Sequence, residues 1–396
     1  MNKKNIGYRL FGLTFSVFRL FGIRQKKVFL IATHDDGSEG NIAIAANEMK
    51  RLEPGLRFYR LTKKDRESNL FSFFFVKAYH MATSRIILLD NTFMPMAYTP
   101  VSRRTTVIQL WHGTGTIKKF GLDADTEEIA SLARRGNKRI DWLIVNGERT
   151  KCQYETAFGI PPERIRMIGL PRTDRLLNAE YMKSRRAAFF SGIRDVVREP
   201  EKHRYILYAP TFRDNELDNP KLRIDPVRIL RELPEDVVIL LRFHPYVAER
   251  FAAGLNLRRL PDEYKSRVID VSLNSGVTTL MAAADVLVTD YSSIIFEYAL
   301  LRRPMVFYAY DLEDFTKNGR DFYEPYEEFV PGPIVTEDDG LVKELSDLFS
   351  PEGDYDFDRE DLESFLKENY RRMDGRAASR VAALALRGKH RFTAVN

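Results

Sequence analysis

The sequence predicts an α/β protein with two successive Rossmann-like domains that face a central cleft. Three observations predict this fold class. Short β-rich apolar runs alternate with helical stretches, as in parallel sheets with crossover helices. The alternation occurs in two series, separated by a highly charged stretch at about 182–202. The 396 residues also exceed what one compact core holds and suit two domains of ordinary size.

The first series of predicted strands follows an N-terminal apolar segment. Its six runs lie at 27–32, 57–61, 85–89, 106–110, 142–146 and 166–169. The second series has five runs, at 205–209, 237–243, 267–271, 286–289 and 304–308. The predicted domains are therefore 27–195 and 196–375. A segment at 1–26 precedes them, and a last helix within 376–396 is predicted to cross back to the first domain.

The composition limits the partners to be expected. Lysine and arginine outnumber aspartate and glutamate by 62 to 56, a formal charge of +6. This mild excess is compatible with anionic substrates or an anionic membrane surface. Because both signs are scattered and no nucleic-acid-binding motif occurs, no nucleic-acid partner is expected. The single cysteine, Cys152, excludes an intramolecular disulfide and suits a reducing cytoplasm.

Residues 5–23 are rich in apolar side chains and predict an amphipathic helix at a membrane surface. Polar or small residues recur in steps of four and three, which traces one stripe along a helix. They are Asn5, Arg9, Gly12, Ser16 and Arg19, and the apolar remainder includes Tyr8, Phe11, Phe15 and Phe18. Because two arginines interrupt the segment, it is predicted to lie on a membrane rather than to span it. The alternative is an ordinary helix packed on the first domain.

His112 is the first candidate catalytic residue. It follows the apolar run at 106–111 and precedes Gly113 and Thr114. A strand that ends in this way exposes the imidazole at the carboxyl edge of a parallel sheet, where open α/β folds place their sites. Together with Lys118 and Lys119, just beyond, Gly113 and Thr114 are candidates on the acceptor side. His112 is predicted to take a proton from an acceptor hydroxyl, and the alternative is a histidine that only caps a turn.

His244 is the second candidate catalytic residue and has the same placement in the second series, because it follows the apolar run at 237–243. One of the two histidines can serve as the base while the other bonds a phosphate oxygen or the leaving group. Arg242 precedes it by two residues and therefore lies on the same face of the strand. Thr211 and Arg213 come just after the preceding strand. Arginine binds diphosphates through paired charge-assisted hydrogen bonds, so these residues are predicted phosphate ligands.

The segment 284–297 reads as a strand, a short turn and a helix, and it adds further candidates. Ser292 and Ser293 lie near the predicted helix N-terminus, where unpaired N–H groups favour an anion. Thr289 precedes them, and Glu297 lies one turn into the helix, where it is predicted to reach a ribose hydroxyl. The alternative is that Ser292 only caps the helix. No convincing metal motif occurs, so no metal site and no cofactor are predicted.

Five motifs in order resemble the CDP-glycerol glycerophosphotransferase family, whose members start or extend teichoic acids and related polymers. They are Trp-His-Gly-Thr-Gly-Thr-Ile-Lys-Lys at 111–119, Gly-Leu-Pro-Arg-Thr-Asp at 169–174, Ile-Leu-Tyr-Ala-Pro-Thr-Phe-Arg at 206–213, Arg-Phe-His-Pro at 242–245 and Val-Thr-Asp-Tyr-Ser-Ser at 288–293. The resemblance implies a GT-B fold, with the acceptor held mainly by the first domain and the CDP-polyol mainly by the second. By the same resemblance His112 is the general base.

The resemblance also implies which groups bind the donor. His244, Arg213, Thr289, Ser292 and Ser293 are the implied diphosphate ligands, and Glu297 is the implied ribose ligand. The implied reaction transfers glycerol phosphate from CDP-glycerol to a hydroxyl of a polyprenyl-diphosphate-linked disaccharide and releases CMP. The enzyme is expected on the cytoplasmic face of the cell membrane as a peripheral protein, adding one unit as a primase, and a homo-oligomer is compatible.

Three rival interpretations stay open at this point. The first is the same chemistry with CDP-ribitol, or a polymerase of the same family. The second is a nucleotide-sugar glycosyltransferase of the same fold, which would release UDP instead of CMP. The third is a catalytically silent scaffold, which has no need of histidines at two strand ends.

Overall fold

The computed structural model describes residues 3–213, 221–243, 247–248, 260–273, 276–318, 321–350 and 359–388. They divide into two compact units. The first domain comprises the residues up to Leu177 together with those from Lys367 onward, and the second comprises Asn178–Leu366. The sequence placed the first boundary at 195 and the second at 375, so both boundaries in the structure come earlier.

The first domain contains a six-stranded parallel sheet. Its strands are β1 Arg24–Ala32, β2 Arg57–Thr62, β3 Ser84–Leu89, β4 Thr106–Gln109, β5 Trp142–Val145 and β6 Ile165–Met167. They are arranged in the order β2-β1-β3-β4-β5-β6, and every pair is parallel. The chain places β2 on one side of β1 and the strands from β3 to β6 on the other, so the strand order reverses between β1 and β3. Such a switch point opens a crevice at the carboxyl ends of the strands.

Helices cover both faces of this sheet. They are α1 Lys3–Phe18, α2 Asn41–Leu52, α3 Lys63–Ser68, α4 Ala78–Ala82, α5 Glu127–Asn137, α6 Glu148–Phe158, α7 Thr173–Leu176 and the final helix, α16 Ala377–Arg387. Because side chains alternate along a strand, Phe29 of β1 lies in one core cluster and Leu30 in the other. Val381 of α16 packs in the second cluster beside Ile42 of α2.

The second domain also has a six-stranded parallel sheet. Its strands are β7 Arg204–Tyr208, β8 Val237–Leu241, β9 Val268–Asp270, β10 Val286–Thr289, β11 Met305–Tyr308 and β12 Ile334–Val335. The order β12-β11-β10-β7-β8-β9 is that of a Rossmann sheet, with its switch point between β7 and β10. Its helices in the described residues are α8 Ala179–Ile193, α9 Pro226–Glu232, α10 Val277–Ala283, α11 Ile294–Ala299, α12 Leu312–Asn318, α13 Tyr326–Phe329, α14 Asp338–Leu348 and α15 Arg359–Asn369, whose last three residues belong to the first domain. The predicted pair of parallel-sheet α/β domains is therefore confirmed.

Helix α1 corrects the prediction for the N-terminal segment. Phe11 and Phe15, which were predicted to face lipid, are buried in the core of the first domain. The ring centroid of Phe11 lies 4.9 Å from that of Phe73 and 5.5 Å from that of Phe93. The aromatic face of the helix therefore packs on the first domain, as the alternative interpretation stated. A domain core buries large rings as readily as a membrane does.

The remaining predicted membrane residues also contact the first domain. Phe18 and Tyr8 are half-buried, Arg9 lies over the ring of Tyr98, and Arg19 donates to the carbonyl of Pro100 over 3.0 Å. Within the described residues, no helix is long and apolar enough to cross a bilayer.

Candidate active site

The carboxyl edge of the first sheet gathers polar residues from four loops. His34 comes two residues after β1, Asp90 directly after β3, His112 three residues after β4, and Asn146 directly after β5. Because all strands of a parallel sheet end at the same edge, these side chains are brought together. His34 and Asp90 flank the switch point between β1 and β3.

Asp90 organises this edge with both its side chain and its backbone. Its carboxylate accepts hydrogen bonds from the backbone amides of Thr33 (2.9 Å), His34 (3.2 Å) and Asp35 (2.9 Å). Its carbonyl oxygen lies 2.8 Å from Nδ1 of His112. Burial raises the pKa of Asp90 to about 6, although the amide bonds act in the opposite direction.

The hydrogen bond to Asp90 defines the tautomer of His112. A carbonyl oxygen only accepts, so Nδ1 of His112 carries the hydrogen and Nε2 keeps its lone pair. Loss of hydration, and secondarily the neighbouring His34, lowers the pKa of His112 to about 3. The ring is therefore neutral at physiological pH, with a basic nitrogen as general-base chemistry requires.

His34 is a site residue that the sequence analysis missed. Its ring lies flat on that of His112, with centroids 3.5 Å apart and planes inclined by 9°. Loss of hydration is the main cause that lowers the pKa of His34, while Asp35 raises it and Arg172 lowers it further. The signal was present, because His34 follows an apolar strand just as His112 and His244 do.

The backbone around His112 is held on several sides. Trp111 has a φ of +55°, a left-handed conformation that costs energy for a residue with a Cβ. Asn41 donates from Nδ2 to the Trp111 carbonyl over 3.1 Å, and its Oδ1 accepts from the amide of Arg172 over 3.0 Å. Asn41 thus links the His112 loop to the loop after β6.

The predicted acceptor-side residues lie in the loop that follows. The Gly113 carbonyl accepts from the hydroxyl of Tyr154 over 3.1 Å, and the Thr114 carbonyl accepts from Asn146 over 2.7 Å. Lys118 and Lys119 are half-buried a few residues further on. Their roles toward an acceptor stay predictions.

The carboxyl edge of the second sheet is dominated by an ionic cluster around Arg213. Its guanidinium donates to Asp311 from Nε (2.7 Å) and Nη2 (2.8 Å) and to Asp290 from Nη2 (3.0 Å). Nη1 donates to the Thr211 carbonyl over 2.6 Å. Burial alone would lower the pKa of Arg213, but the two carboxylates raise it above its ordinary value. Arg213 therefore holds loops together here, and its role as a diphosphate ligand stays a prediction.

The other predicted donor ligands are placed separately around this edge. Thr289 is buried and donates to the Ala209 carbonyl over 2.6 Å, and Glu297 is buried in α11. Ser292 is half-buried and Ser293 is exposed where α11 begins. Arg242 donates from Nη1 to the carbonyls of Phe243 and Ser272, each over 2.7 Å. His244 lies outside the described residues, and all these ligand assignments stay predictions.

Two polar atoms at the second edge are buried and have no hydrogen-bond partner among the described residues: Oγ1 of Thr211 and Nε of Arg242. Thr211 lines a pocket of about 30 Å³ together with Tyr208, Arg213, Lys221 and Tyr310. This volume suits one or two water molecules rather than a nucleotide. Unpaired buried polar atoms are costly, so both atoms favour a polar ligand or water at this edge.

A comparison with known protein families identifies the family of this chain. Residues 13–386 match the family described as CDP-glycerol:poly(glycerophosphate) glycerophosphotransferase. The chain belongs to this family. The resemblance found in the five sequence motifs is thereby confirmed, and it extends over nearly the whole chain.

Curated relatives include enzymes for two different polyols. The chain is 31% identical to the teichoic acid ribitol-phosphate primase of Bacillus spizizenii over 393 residues, which covers 94% of each chain. It is also 31% identical to the teichoic acid glycerol-phosphate primase of Bacillus subtilis, over 69% of this chain and 68% of the relative. The chain spans only 59% of the length of the teichoic acid poly(ribitol-phosphate) polymerase of Bacillus spizizenii.

Among solved structures, the wall teichoic acid polymerase TagF matches with a TM-score of 0.76 and 26% identity, over 97% of this chain and 95% of that one. The fold is of the GT-B kind, as predicted. Among the described residues no group of three or more His, Cys, Asp or Glu is placed to hold a metal ion.

Proposed function

We propose that this glycerophosphotransferase-family member transfers a polyol phosphate from a CDP-polyol to a hydroxyl of a polyprenyl-diphosphate-linked disaccharide and releases CMP. The observation that carries the proposal is the unprotonated Nε2 of His112, fixed by the Nδ1 bond to the Asp90 carbonyl. A base with a fixed tautomer at the carboxyl edge of a parallel sheet suits removal of a proton from an alcohol.

In the proposed reaction an acceptor hydroxyl displaces CMP from the donor. The acceptor hydroxyl loses its proton to Nε2 of His112, and its oxygen bonds to the β-phosphorus of the donor. The bond from that phosphorus to the bridging oxygen breaks, and CMP leaves with the electron pair. Because a nearby anion favours the charged form of histidine, the bound donor diphosphate would raise the pKa of His112 from its low value.

CDP-glycerol is the donor we propose first, as the sequence motifs implied. The match to TagF is consistent with it, since a variant of that protein was soaked with CDPG. CDP-ribitol is the second candidate, and it is favoured by the end-to-end match to a ribitol-phosphate primase. The matched relative is a primase, and on this basis we propose that a single unit is added.

The first test measures nucleotide release with CDP-glycerol, CDP-ribitol and a UDP-sugar offered separately beside a lipid-diphosphate disaccharide. We expect CMP from one of the CDP-polyols. His112→Ala should lower turnover by about 10²–10⁴-fold, the usual contribution of a general base, while donor binding persists. His203→Ala is the matched control, because the ring of His203 also bonds a carbonyl, that of Glu199, but lies at the amino end of β7 and not at the carboxyl edge of a sheet. UDP release, or full activity of His112→Ala, would contradict the proposal.

We also propose that α1 binds the membrane with the face opposite to the one first predicted. The exposed apolar residues of the N-terminal segment are Ile6, Leu10, Leu13, Val17, Leu20 and Phe21. From Ile6 to Leu20 they recur in steps of four and three, which makes one stripe along the helix, and Phe21 directly follows. Exposed basic residues, including Lys4, Arg24 and Lys26, lie close in sequence, as in helices that bind anionic lipid surfaces.

The membrane proposal is tested with vesicles that contain anionic lipid. Leu13 is 66% exposed, so a charge introduced there leaves the core unchanged. We expect Leu13→Glu combined with Val17→Glu to weaken vesicle binding by at least about tenfold, since each apolar side chain contributes roughly 1.5–3 kcal/mol when buried. Val196→Glu is the control, because Val196 is a comparably exposed apolar residue of the second domain. Unchanged vesicle binding of the double variant would contradict the proposal.

A further inference from the structure

The stacked pair of His34 and His112 has a geometry that hydrogen bonding does not explain. The two rings are nearly parallel, with an angle of 9° between their planes, and their centroids are only 3.5 Å apart. The side chain of His34 makes no hydrogen bond with any described residue. The contact that the His34 ring makes is therefore a face-to-face contact with the ring of His112.

The backbone of His34 is held at the place where this contact forms. Three consecutive amides, those of Thr33, His34 and Asp35, donate to the one carboxylate of Asp90. The carbonyl of the same residue accepts from Nδ1 of His112. Asp90 therefore sets the positions of both rings at once, and both lie beside the switch point of the first sheet.

We propose that His34 is a positioning residue for His112, whose ring it holds in the plane that directs Nε2 away from Asp90. This inference rests on the proposed role of His112 as the general base. The Nδ1 bond leaves the ring free to swing about the line to the Asp90 carbonyl. The Trp111 ring, whose centroid lies 4.1 Å from that of His112, is inclined to it by 30° and so does not fix its plane as a parallel ring does. A flat ring packed against one face removes that freedom, and a displacement of about 1 Å at a reacting atom costs on the order of 10²-fold in rate.

The protonation state of His34 also affects the imidazolium form of His112. A neutral His34 presents its π face to the imidazolium that His112 becomes in the reaction, whereas a protonated His34 repels it. The charged or titratable groups that face His34 are Asp35, Arg172 and His112, and those that face His112 are His34 and Arg172. Arg172 and the second imidazole both oppose protonation of the pair, so the pair should stay neutral at physiological pH.

The test compares His34→Ala, which removes the stacked ring, with His34→Phe, which keeps a flat ring and removes the ionisable nitrogens. We expect His34→Ala to lower kcat by about 10–100-fold with little change in the KM of the CDP-polyol. His34→Phe should retain most of kcat. In His34→Ala the acid limb of the kcat profile should move to higher pH, because water that replaces the stacked ring reduces the loss of hydration that lowers the pKa of His112. Equal kcat losses in the two variants, or none in His34→Ala, would overturn the inference.

A second readout does not depend on turnover. The 15N resonances of His112 in the intact protein report its tautomer and its titration directly. We expect an Nδ1–H ring in the wild type, and in His34→Ala a midpoint higher by about one pKa unit. A midpoint that does not move would overturn the inference. If the wild type turned over no CDP-polyol, the proposed function would fail, while this titration would still decide the stacking.

Discussion

Each domain places an aspartate directly after a strand that borders the switch point of its sheet, Asp90 after β3 and Asp290 after β10. Each carboxylate accepts a backbone amide from the loop after the first strand of its sheet. Thr33 donates to Asp90 over 2.9 Å, and Thr211 donates to Asp290 over 2.7 Å. The two edges thus use the same device to join two loops across a switch point.

The surroundings of the two carboxylates differ. Asp290 pairs with Arg213, which also pairs with Asp311 and lies within 5.3 Å of the centroids of three aromatic rings, Tyr291, Tyr310 and Phe315. Asp90 meets backbone amides, and its neighbouring side chains are two neutral histidines and the carboxylate of Asp35, with no cation of the described residues paired to it as Arg213 is to Asp290. The difference indicates two uses of one topology. The second edge fixes charges in place, whereas the first keeps groups that can gain a proton.

The largest effect should follow from removing the charge at the centre of the second edge. Arg213→Met leaves the carboxylates of Asp290 and Asp311 without their buried cation. Breaking a buried ion pair from one side costs about 3–5 kcal/mol, so we expect a loss of this size in the free energy of unfolding of the second domain. Both tryptophans lie in the first domain, so circular dichroism, not tryptophan fluorescence, should report the loss.

Glu363→Gln is the control for this prediction. Glu363 pairs with Arg302 over 2.7 Å, but both side chains are about half exposed. An exposed pair contributes only about 0–1 kcal/mol, so the control should unfold almost as the wild type does. Equal effects of the two substitutions would mean that Arg213 is not held by its carboxylates, and the contrast between the two edges would be lost.

The strands and their ends could be predicted from the sequence because each is a short apolar run followed by a turn. His112, Thr211 and Thr289 lie at the strand ends where these runs placed them. Arg213 shows what a motif does not reveal. Its partners Asp290 and Asp311 lie 77 and 98 residues further along the chain. Only the sheet order brings those carboxylates beside it.

The N-terminal helix shows a second limit. Its period was read correctly, but a stripe of Phe11 and Phe15 and a stripe of Leu13 and Val17 both satisfy helical spacing. Which stripe faces inward depends on whether the domain offers aromatic partners, and Phe73 and Phe93 supply them from distant parts of the chain. His34 was missed for another reason. It too follows an apolar strand, but only the structure shows that its ring lies against that of His112.

The smaller effect concerns Asp90 and tests the first edge. Its folded-state pKa of about 6 exceeds the ordinary value near 3.9, so the folded protein binds more protons between these values. Protonation of Asp90 therefore stabilises the folded state. Its contribution to the free energy of unfolding, about 2–3 kcal/mol, is complete below pH 4 and is lost as the pH rises to 6. Asp90→Asn lacks this contribution. His112 changes the stability with pH in the opposite direction over the same range, but it is present in both proteins and therefore cancels in the difference between them. In urea unfolding followed by tryptophan fluorescence, the stability of the wild type relative to Asp90→Asn should therefore fall by about 2–3 kcal/mol between pH 4 and pH 7. Parallel pH profiles would show that burial does not raise the pKa of Asp90, and that the two carboxylates are alike after all.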